Sequence, residues 1–153
     1  MISNRQRRIR LPLKKLERFL ARARREVRLP ADSLAICFVS NAEIERWNRS
    51  YRHKQGPTDV LSFPADDTRP TTKRTPTARR SRSSARSATF IGDIAIAPEV
   101  ARRNARRFGR TLEDEMRILI LHGILHLMGY DHETDTGQMD RRERRLRRTL
   151  GLA

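Results

Sequence analysis

The chain is poor in cysteine, in aromatic side chains and in long apolar runs. Its single cysteine, Cys37, excludes an intramolecular disulfide and is typical of a protein from a reducing compartment. No apolar stretch approaches the roughly 18 residues that a membrane span requires. The basic N-terminus also lacks the apolar core of a secretory signal peptide. We therefore expect a soluble, cytoplasmic protein with no membrane partner.

Acidic residues are scarce relative to basic ones. The 153 residues include 34 lysines and arginines against 18 aspartates and glutamates, so the formal net charge is +16. A codon preference for arginine would explain arginine in place of lysine, but it would not explain this excess over acids. The positive electrostatic field of such a protein attracts polyanions, and we expect a nucleic acid partner whose binding depends strongly on salt.

Hydrophobic periodicity divides the chain into helices and strands. The predicted elements are, in order, 13–28 (helix), 34–39 (strand), 41–51 (helix), 60–63 (strand), 90–96 (strand), 98–108 (helix), 112–128 (helix) and 136–150 (helix). They do not alternate as strand–helix–strand units, which favours an α+β fold. We expect one domain, 1–153, in which a small mixed sheet is packed with about five helices.

The last two predicted helices differ in character. Segment 112–128 is almost continuously apolar after Arg117 and starts at a capping box formed by Thr111 and Asp114. It is therefore predicted to be the buried central helix. Segment 136–150 has an outer face that is nearly all arginine and a narrow inner stripe. That stripe contains Met139, Arg142 or Glu143, Leu146 and Leu150.

A polar segment separates the second and third predicted strands. Residues 65–88 include seven basic and two acidic residues and no large apolar side chain. They cannot bury enough surface to offset the entropy of ordering, so we expect a mobile basic insertion. It is either a solvated linker or an arm that contacts RNA phosphates, and in the second case Arg79, Arg80 and Arg82 are candidate RNA-binding residues.

Three of the four histidines fall within eleven residues near the end of the chain. His122 and His126 are four residues apart in the apolar central helix, so they share one face, and Gly129 can end that helix. The turn that follows can return His132 to the first two. Three imidazoles with no fourth protein ligand are typical of a catalytic zinc site with one open position. Core histidines or a closed structural zinc site are the alternatives, but a structural site usually contains cysteine, and Cys37 lies in a separate, strand-like segment.

The histidine spacing matches the metzincin protease pattern H-E-x-x-H-x-x-G-x-x-H at every position except one. Gly123 stands where that pattern has glutamate, the general base that takes a proton from the attacking water. Asp131 and Glu133 are close in sequence, but neither occupies that helical position. Peptide hydrolysis is therefore disfavoured, and the identity of the proton acceptor is left open.

Together with two further segments, the histidine motif resembles the YbeY family of bacterial rRNA-maturation endoribonucleases. The matching segments appear in the family's order, as N-R-S-Y-R (48–52) leading into P-T-D-V-L-S-F-P (57–64), G-D-I-A-I (92–96) and H-G-I-L-H-L-M-G-Y-D-H (122–132). The resemblance covers residues 34–64 and 90–150, and the arginine-serine insertion between them is the main departure.

The resemblance implies a metal-dependent, single-strand-preferring endoribonuclease that acts in 16S rRNA 3′-end processing, ribosome maturation and quality control. It implies one zinc ion bound by His122, His126 and His132. Its implied partners are rRNA, the small ribosomal subunit, and ribosomal or assembly-factor proteins. Arg52 matches an arginine that is functionally important in the family, and a guanidinium group can pair with phosphate and stabilise transition-state charge. Arg52 and His122 are thus the candidate catalytic residues.

Four further residues are candidates for supporting roles. His53, at the same helix end as Arg52, is a candidate RNA contact. Asp59, Asp93 and Asp131 could orient a ligand histidine from the second coordination sphere, although an aspartate at a strand start is more often a turn residue. Asp131 is also expected to fix the turn that presents the third histidine.

Two other functions stay open at this point. One is a noncatalytic rRNA-binding assembly factor in which zinc stabilises the fold, and the other is a metallohydrolase of a different substrate. An accessible open position on the metal would favour catalysis, whereas a closed fourth ligand would favour the binding role. Nickel, copper and iron also bind imidazoles, and the sequence does not specify the oligomeric state.

Deletion of residues 66–88 tests whether the insertion contacts RNA. If it does, the slope of log affinity against log salt concentration should fall by about 0.7 for each phosphate contact that is lost on a single strand. Fluorescence anisotropy of a labelled single-stranded RNA over a salt series measures that slope. An unchanged slope would reduce the insertion to a linker.

Overall fold

The computed structural model describes residues 1–65, 90–131 and 133–152. Most of the predicted basic insertion, including Arg79, Arg80 and Arg82, lies outside the described residues, and so does His132. The elements of the described part are β1 (Ile2–Asn4), α1 (Leu13–Glu26), β2 (Leu34–Phe38), α2 (Asn41–Arg52), β3 (Val60–Pro64), β4 (Gly92–Ile96), α3 (Pro98–Phe108), α4 (Leu112–Leu127) and α5 (Gln138–Thr149).

The strands form one mixed sheet with the order β1-β2-β4-β3. Strands β1, β2 and β4 are parallel, and β3 runs antiparallel to β4, with Val60 opposite Ile96. Every residue of β2 and β4 is buried, as is usual for central strands covered on both faces. The predicted α+β fold with a mixed sheet and five helices is confirmed. Strand β1 is not predicted from the sequence, because its three residues are too few to show a periodicity.

Helices cover both faces of the sheet. On one face α1, α4 and α5 pack against alternate residues of the central strands, among them Ile36 and Ile94. On the other face α2 packs against Cys37 and Phe63. Cys37 is only 1% exposed and behaves as a small buried hydrophobe. Because β3 is an edge strand that contacts both α2 and α4, the ends of these two helices come together beside it.

The central helix is α4, as predicted, and ten of its 16 residues are buried. Thr111 Oγ1 accepts a hydrogen bond from the Asp114 amide at 3.1 Å, so the predicted cap is present. Gly129 follows the helix with a φ of 99°, a left-handed conformation that glycine adopts without strain. None of the helices within residues 1–65, 90–131 and 133–152 combines the length and the apolar character needed to cross a bilayer.

Gly123 allows α4 to approach β4 closely. A Cβ atom built at this position would lie 2.8 Å from Cγ2 and 2.9 Å from Cδ1 of Ile94, which is inside van der Waals contact. A hydrogen bond beside this contact joins β3 to α4, since Ser62 Oγ donates to the Gly123 carbonyl oxygen at 3.2 Å. The absence of a side chain at residue 123 therefore sets the distance between the central helix and the sheet.

Gly123→Ala should lower the free energy of unfolding by about 1–3 kcal/mol, because overpacking outweighs the roughly 1 kcal/mol by which alanine favours a helix over glycine. Ile94→Val removes one of the two contacting methyl groups and should recover part of this loss in the double variant. Denaturant unfolding of the wild type, both single variants and the double variant measures the coupling. Losses that simply add would contradict the close contact.

Candidate active site

A cleft of about 570 Å³ lies along β3, where the C-terminal ends of α2 and α4 meet. Its walls come from the end of α2, the segment that leads into β3, β3 itself, and the last turns of α4 with the residues after it. They include Asn48, Arg52, Thr58, Ser62, His122 and Tyr130. The fold therefore brings residues from segments 48–64 and 122–132 of the predicted site together in one cleft.

His122 and His126 face each other on one side of α4. Their Nε2 atoms are 3.1 Å apart, and the two rings meet edge to face with centroids 4.7 Å apart. Two imidazole nitrogens on one tetrahedral zinc ion lie about 3.3 Å apart when each Zn–N distance is about 2.0–2.1 Å. The pair therefore presents two nitrogen atoms at a spacing that a single metal ion accepts.

The third predicted ligand, His132, lies outside the described residues. Within the part of the chain that is described, no group of three histidine, cysteine, aspartate or glutamate side chains has a metal-binding arrangement. Two of the three predicted ligands are thus brought together. The contribution of His132 stays a prediction.

A carboxylate from α5 orients the first histidine. Glu143 Oε1 lies 2.9 Å from His122 Nδ1, and Glu143 Oε2 accepts a hydrogen bond from Arg147 Nη2 at 2.8 Å. When His122 donates its Nδ1 proton to Glu143, its Nε2 lone pair faces His126 and the cleft. That tautomer and ring orientation are what metal binding needs, so the described residues fit a metal ion at His122 and His126.

Glu143 is poised to carry a negative charge. Burial raises the pKa of its carboxyl group, but the hydrogen bond with His122 and the charge of Arg147 lower it by more, so the net pKa is below the ordinary value. An ionised carboxylate is the stronger hydrogen-bond acceptor. This role of Glu143 is not predicted from the sequence. The available signal was an acid four residues after Met139, on the inner stripe of an arginine-rich helix.

Arg52 stands at the mouth of the cleft. Its Nη2 atom is 3.8 Å from Glu133 Oε1, and because both side chains are exposed (42% and 60%), this ion pair is weak in water. The neighbouring His53 ends α2 in a left-handed conformation and is exposed outside the cleft lining. Within residues 1–65, 90–131 and 133–152, the charged residues of the lining apart from the histidines are two cations and three anions: Arg52, Lys54, Asp59, Asp131 and Glu133. Arg52 thus presents a weakly paired cation at the cleft, whose described lining is not basic as a whole.

The three candidate aspartates occupy different positions around the cleft. Asp59 Oδ2 accepts a hydrogen bond from Asn104 Nδ2 at 3.0 Å, which joins the start of β3 to α3. Asp131 Oδ1 accepts from the Glu133 amide at 3.0 Å and so organises the turn after α4. Asp93 is buried in β4, at 4% exposure, and is not part of the cleft lining. Their action on a ligand histidine stays a prediction.

The position that carries glutamate in metzincins points away from the cleft. Gly123 faces Ile94 on the sheet, so a longer side chain there would enter the core and would not reach the cleft. The packing of α4 thus explains why this position is glycine. A peptidase of the metzincin kind would lack its general base.

Known proteins resemble this chain over most of its length. A family model described as Endoribonuclease YbeY matches residues 1–151. Two curated relatives named Endoribonuclease YbeY come from Solibacter usitatus and Staphylococcus carnosus. The first is 41% identical over 139 residues, covering 90% of this chain and 78% of the relative. The second is 34% identical over 140 residues, covering 90% and 85%.

A solved structure has the same architecture. The solution structure of a Thermotoga maritima protein matches with a TM-score of 0.57 and 26% identity, and the match covers 98% of this chain and 89% of that one. Sequence and fold therefore agree along almost the whole length, and the chain belongs to the YbeY family.

Proposed function

We propose that this protein is a metal-dependent endoribonuclease that cleaves single-stranded RNA, and that it acts near the 3′ end of 16S rRNA in ribosome maturation and quality control. The relatives named Endoribonuclease YbeY support the reaction class. The net charge of +16 supports a polyanionic substrate. The observation that carries the proposal is the His126–His122–Glu143 arrangement at the cleft.

The metal would be held by His122 and His126 together with His132. Imidazole ligands without cysteine suit a catalytic zinc site. A bound zinc ion would polarise a phosphoryl oxygen and lower the pKa of a water molecule toward neutrality. Glu143 keeps the His122 ring from rotating, so that its Nε2 atom stays directed into the cleft.

Arg52 would bind the phosphate group of the substrate. Its partner at the cleft mouth, Glu133, holds it only through a long, exposed ion pair. An RNA phosphate can therefore replace Glu133 and form two charge-assisted hydrogen bonds with the guanidinium group. Contacts of this kind strengthen as the phosphoryl group gains negative charge in the transition state.

The wider proposal concerns domain organisation and partners. A single domain over 1–153 is supported by the two apolar clusters, which occupy opposite faces of the same sheet. The partners would be rRNA and the small ribosomal subunit, with ribosomal or assembly-factor proteins, which would place the activity in the cytoplasm.

Cleavage of an end-labelled RNA that contains the 3′ region of 16S rRNA tests the reaction class. The wild type with zinc should cut, and His122→Ala/His126→Ala should lose more than about 100-fold in rate, beyond the effect of changing a group that only orients a ligand. Arg22→Ser, an exposed change on α1 outside the cleft, is purified in parallel as the control. Equal cutting by the double variant would refute the proposal. RNA binding without cutting by the wild type would favour the assembly-factor role.

Glu143→Ala should weaken zinc binding by about 10- to 100-fold, because the His122 ring loses the group that orients it. Glu143→Gln keeps an acceptor oxygen and should lose less. Competition with a chromophoric chelator measures the affinity without recourse to activity. Asp140→Ala is the matched control, since Asp140 is an exposed acid on the same helix that pairs with Arg144. If Glu143→Ala binds zinc as tightly as the wild type, Glu143 does not orient His122 for metal binding.

A further inference from the structure

RNA binding needs a basic surface outside the cleft. Among the residues that the structure describes, the lining has two cations and three anions besides its histidines, whereas a single strand carries one negative charge per nucleotide. Most of the electrostatic attraction for a polyanion must therefore come from flanking surfaces. A candidate is α3, the helix that borders the start of β3 through the Asn104–Asp59 hydrogen bond.

Four arginines of α3 are exposed, and its only acidic residue is Glu99 in the first turn. These arginines are Arg102, Arg103, Arg106 and Arg107. Among the residues that the structure describes, none of the four guanidinium groups takes part in an ion pair. Their charge is therefore available to phosphate groups.

An exposed aromatic ring accompanies these arginines. Phe108, the last residue of α3, is 56% exposed. The guanidinium carbons of Arg107 and Arg110 lie 5.6 and 5.1 Å from its ring centroid, within the range of cation–π attraction. Arg110 is itself anchored, since its Nη1 atom is 2.9 Å from Oε1 of the buried Glu115. The ring is thus held in place while more than half of it faces solvent.

Helical geometry places the Phe108 ring and Arg107 beside the contact between α3 and the cleft wall, on the side of that contact toward the N-terminal end of α4. Arg107 and Phe108 follow Asn104 by three and four residues, so they lie on the face that reaches Asp59 in the cleft wall. Arg103 is one turn before Arg107. Residues two positions from Asn104, at 102 and 106, are rotated by about 200° and lie on the opposite flank.

The other basic helices lack this combination. On α5, two of the six arginines, Arg144 and Arg147, are paired with Asp140 and Glu143, and the helix has no aromatic residue. On α1 the exposed arginines have no exposed aromatic neighbour on their helix. The large exposed hydrophobic side chains of the described residues are Met1, Leu13 and Phe108. Within the described part of the chain, only α3 combines exposed arginines outside any ion pair with an aromatic residue that is more than half exposed.

We propose that Arg103, Arg107 and Phe108, here called the α3 strip, bind the part of a single-stranded RNA that leaves the cleft. The two guanidinium groups contact backbone phosphates, and the ring stacks on an unpaired base. A paired base has no free face to offer, so the strip favours single strands. The strip rests on the proposed ribonuclease function for its substrate, and it extends that function by assigning the path of the strand.

Fluorescence anisotropy with two fluorescein-labelled, unstructured RNAs tests the strip, one of about 12 nucleotides and one of about 4. Arg103→Ser/Arg107→Ser should weaken binding of the longer RNA about tenfold and reduce the salt slope by about 1.4, since each phosphate contact contributes about 0.7. The shorter RNA, which leaves little strand beyond the cleft, should bind nearly as it does to the wild type. A gel run after each titration confirms that the RNA is intact.

Matched variants separate the strip from the general field of the protein. Arg102→Ser/Arg106→Ser removes the same charge from the opposite flank of α3 and should weaken binding less than about threefold. Phe108→Leu keeps an apolar side chain and should weaken binding about fivefold or more at an unchanged salt slope, because only stacking is lost. Phe108→Tyr keeps the ring and should bind as the wild type. Circular dichroism checks that each variant is folded.

Equal losses in the two arginine pairs would mean a diffuse positive field and would overturn the strip, as would wild-type binding by Phe108→Leu. Cleavage of the 16S rRNA fragment by the same preparations keeps the two proposals apart. Strip-dependent binding without cleavage by the wild type would support the strip and refute the nuclease. If the wild type cleaves the fragment and the strip variants bind RNA as tightly as the wild type, the nuclease is supported and the strip is refuted.

Discussion

The close contact between α4 and β4 at Gly123 sets the positions of His122 and His126 in the cleft. With no side chain at this residue, the helix comes near enough for Ile94 to fill the space, and Ser62 bonds to the helix backbone from the neighbouring strand. The side chains of His122 and His126 then project from the helix at about 60–100° from the direction that faces the sheet. Any large rotation of α4 would bury a histidine or expose an isoleucine, so packing in the core and geometry in the cleft are one constraint.

Charge is divided between the cleft and the surface around it. The outer face of α5 is nearly all arginine, yet the residue that α5 directs toward His122 is Glu143. An anionic partner keeps the histidine nitrogens available to a cation, whereas arginine at that position would repel a metal ion. The arginines on exposed helix faces act at longer range and attract a polyanion. In the proposed function, affinity for RNA and chemistry at the metal therefore belong to different groups of side chains.

Local sequence patterns were sufficient to locate the central helix and to predict that two of the proposed metal ligands share one of its faces. The Thr111 cap, the apolar run and Gly129 predicted where α4 begins and ends, and all three are present in the fold. The four-residue spacing predicted that His122 and His126 share a face, because that spacing is close to one helical turn. These features depend on neighbours within a few residues, and so a pattern can reveal them. The edge strand β1 was missed because its pairing with β2 is its only signal.

Contacts between distant parts of the chain followed from packing alone. Glu143 reaches His122 across 21 residues, and Asn104 reaches Asp59 across 45. No periodicity encodes either contact, since each depends on how a whole helix is seated against its neighbour. The same holds for Arg52. Its place in the sequence motif identified it as a candidate, but only the fold shows that it lies opposite Glu133 at the cleft mouth. Spacing along the chain identifies which side chains share one helix face, whereas the seating of helices on the sheet determines which faces meet.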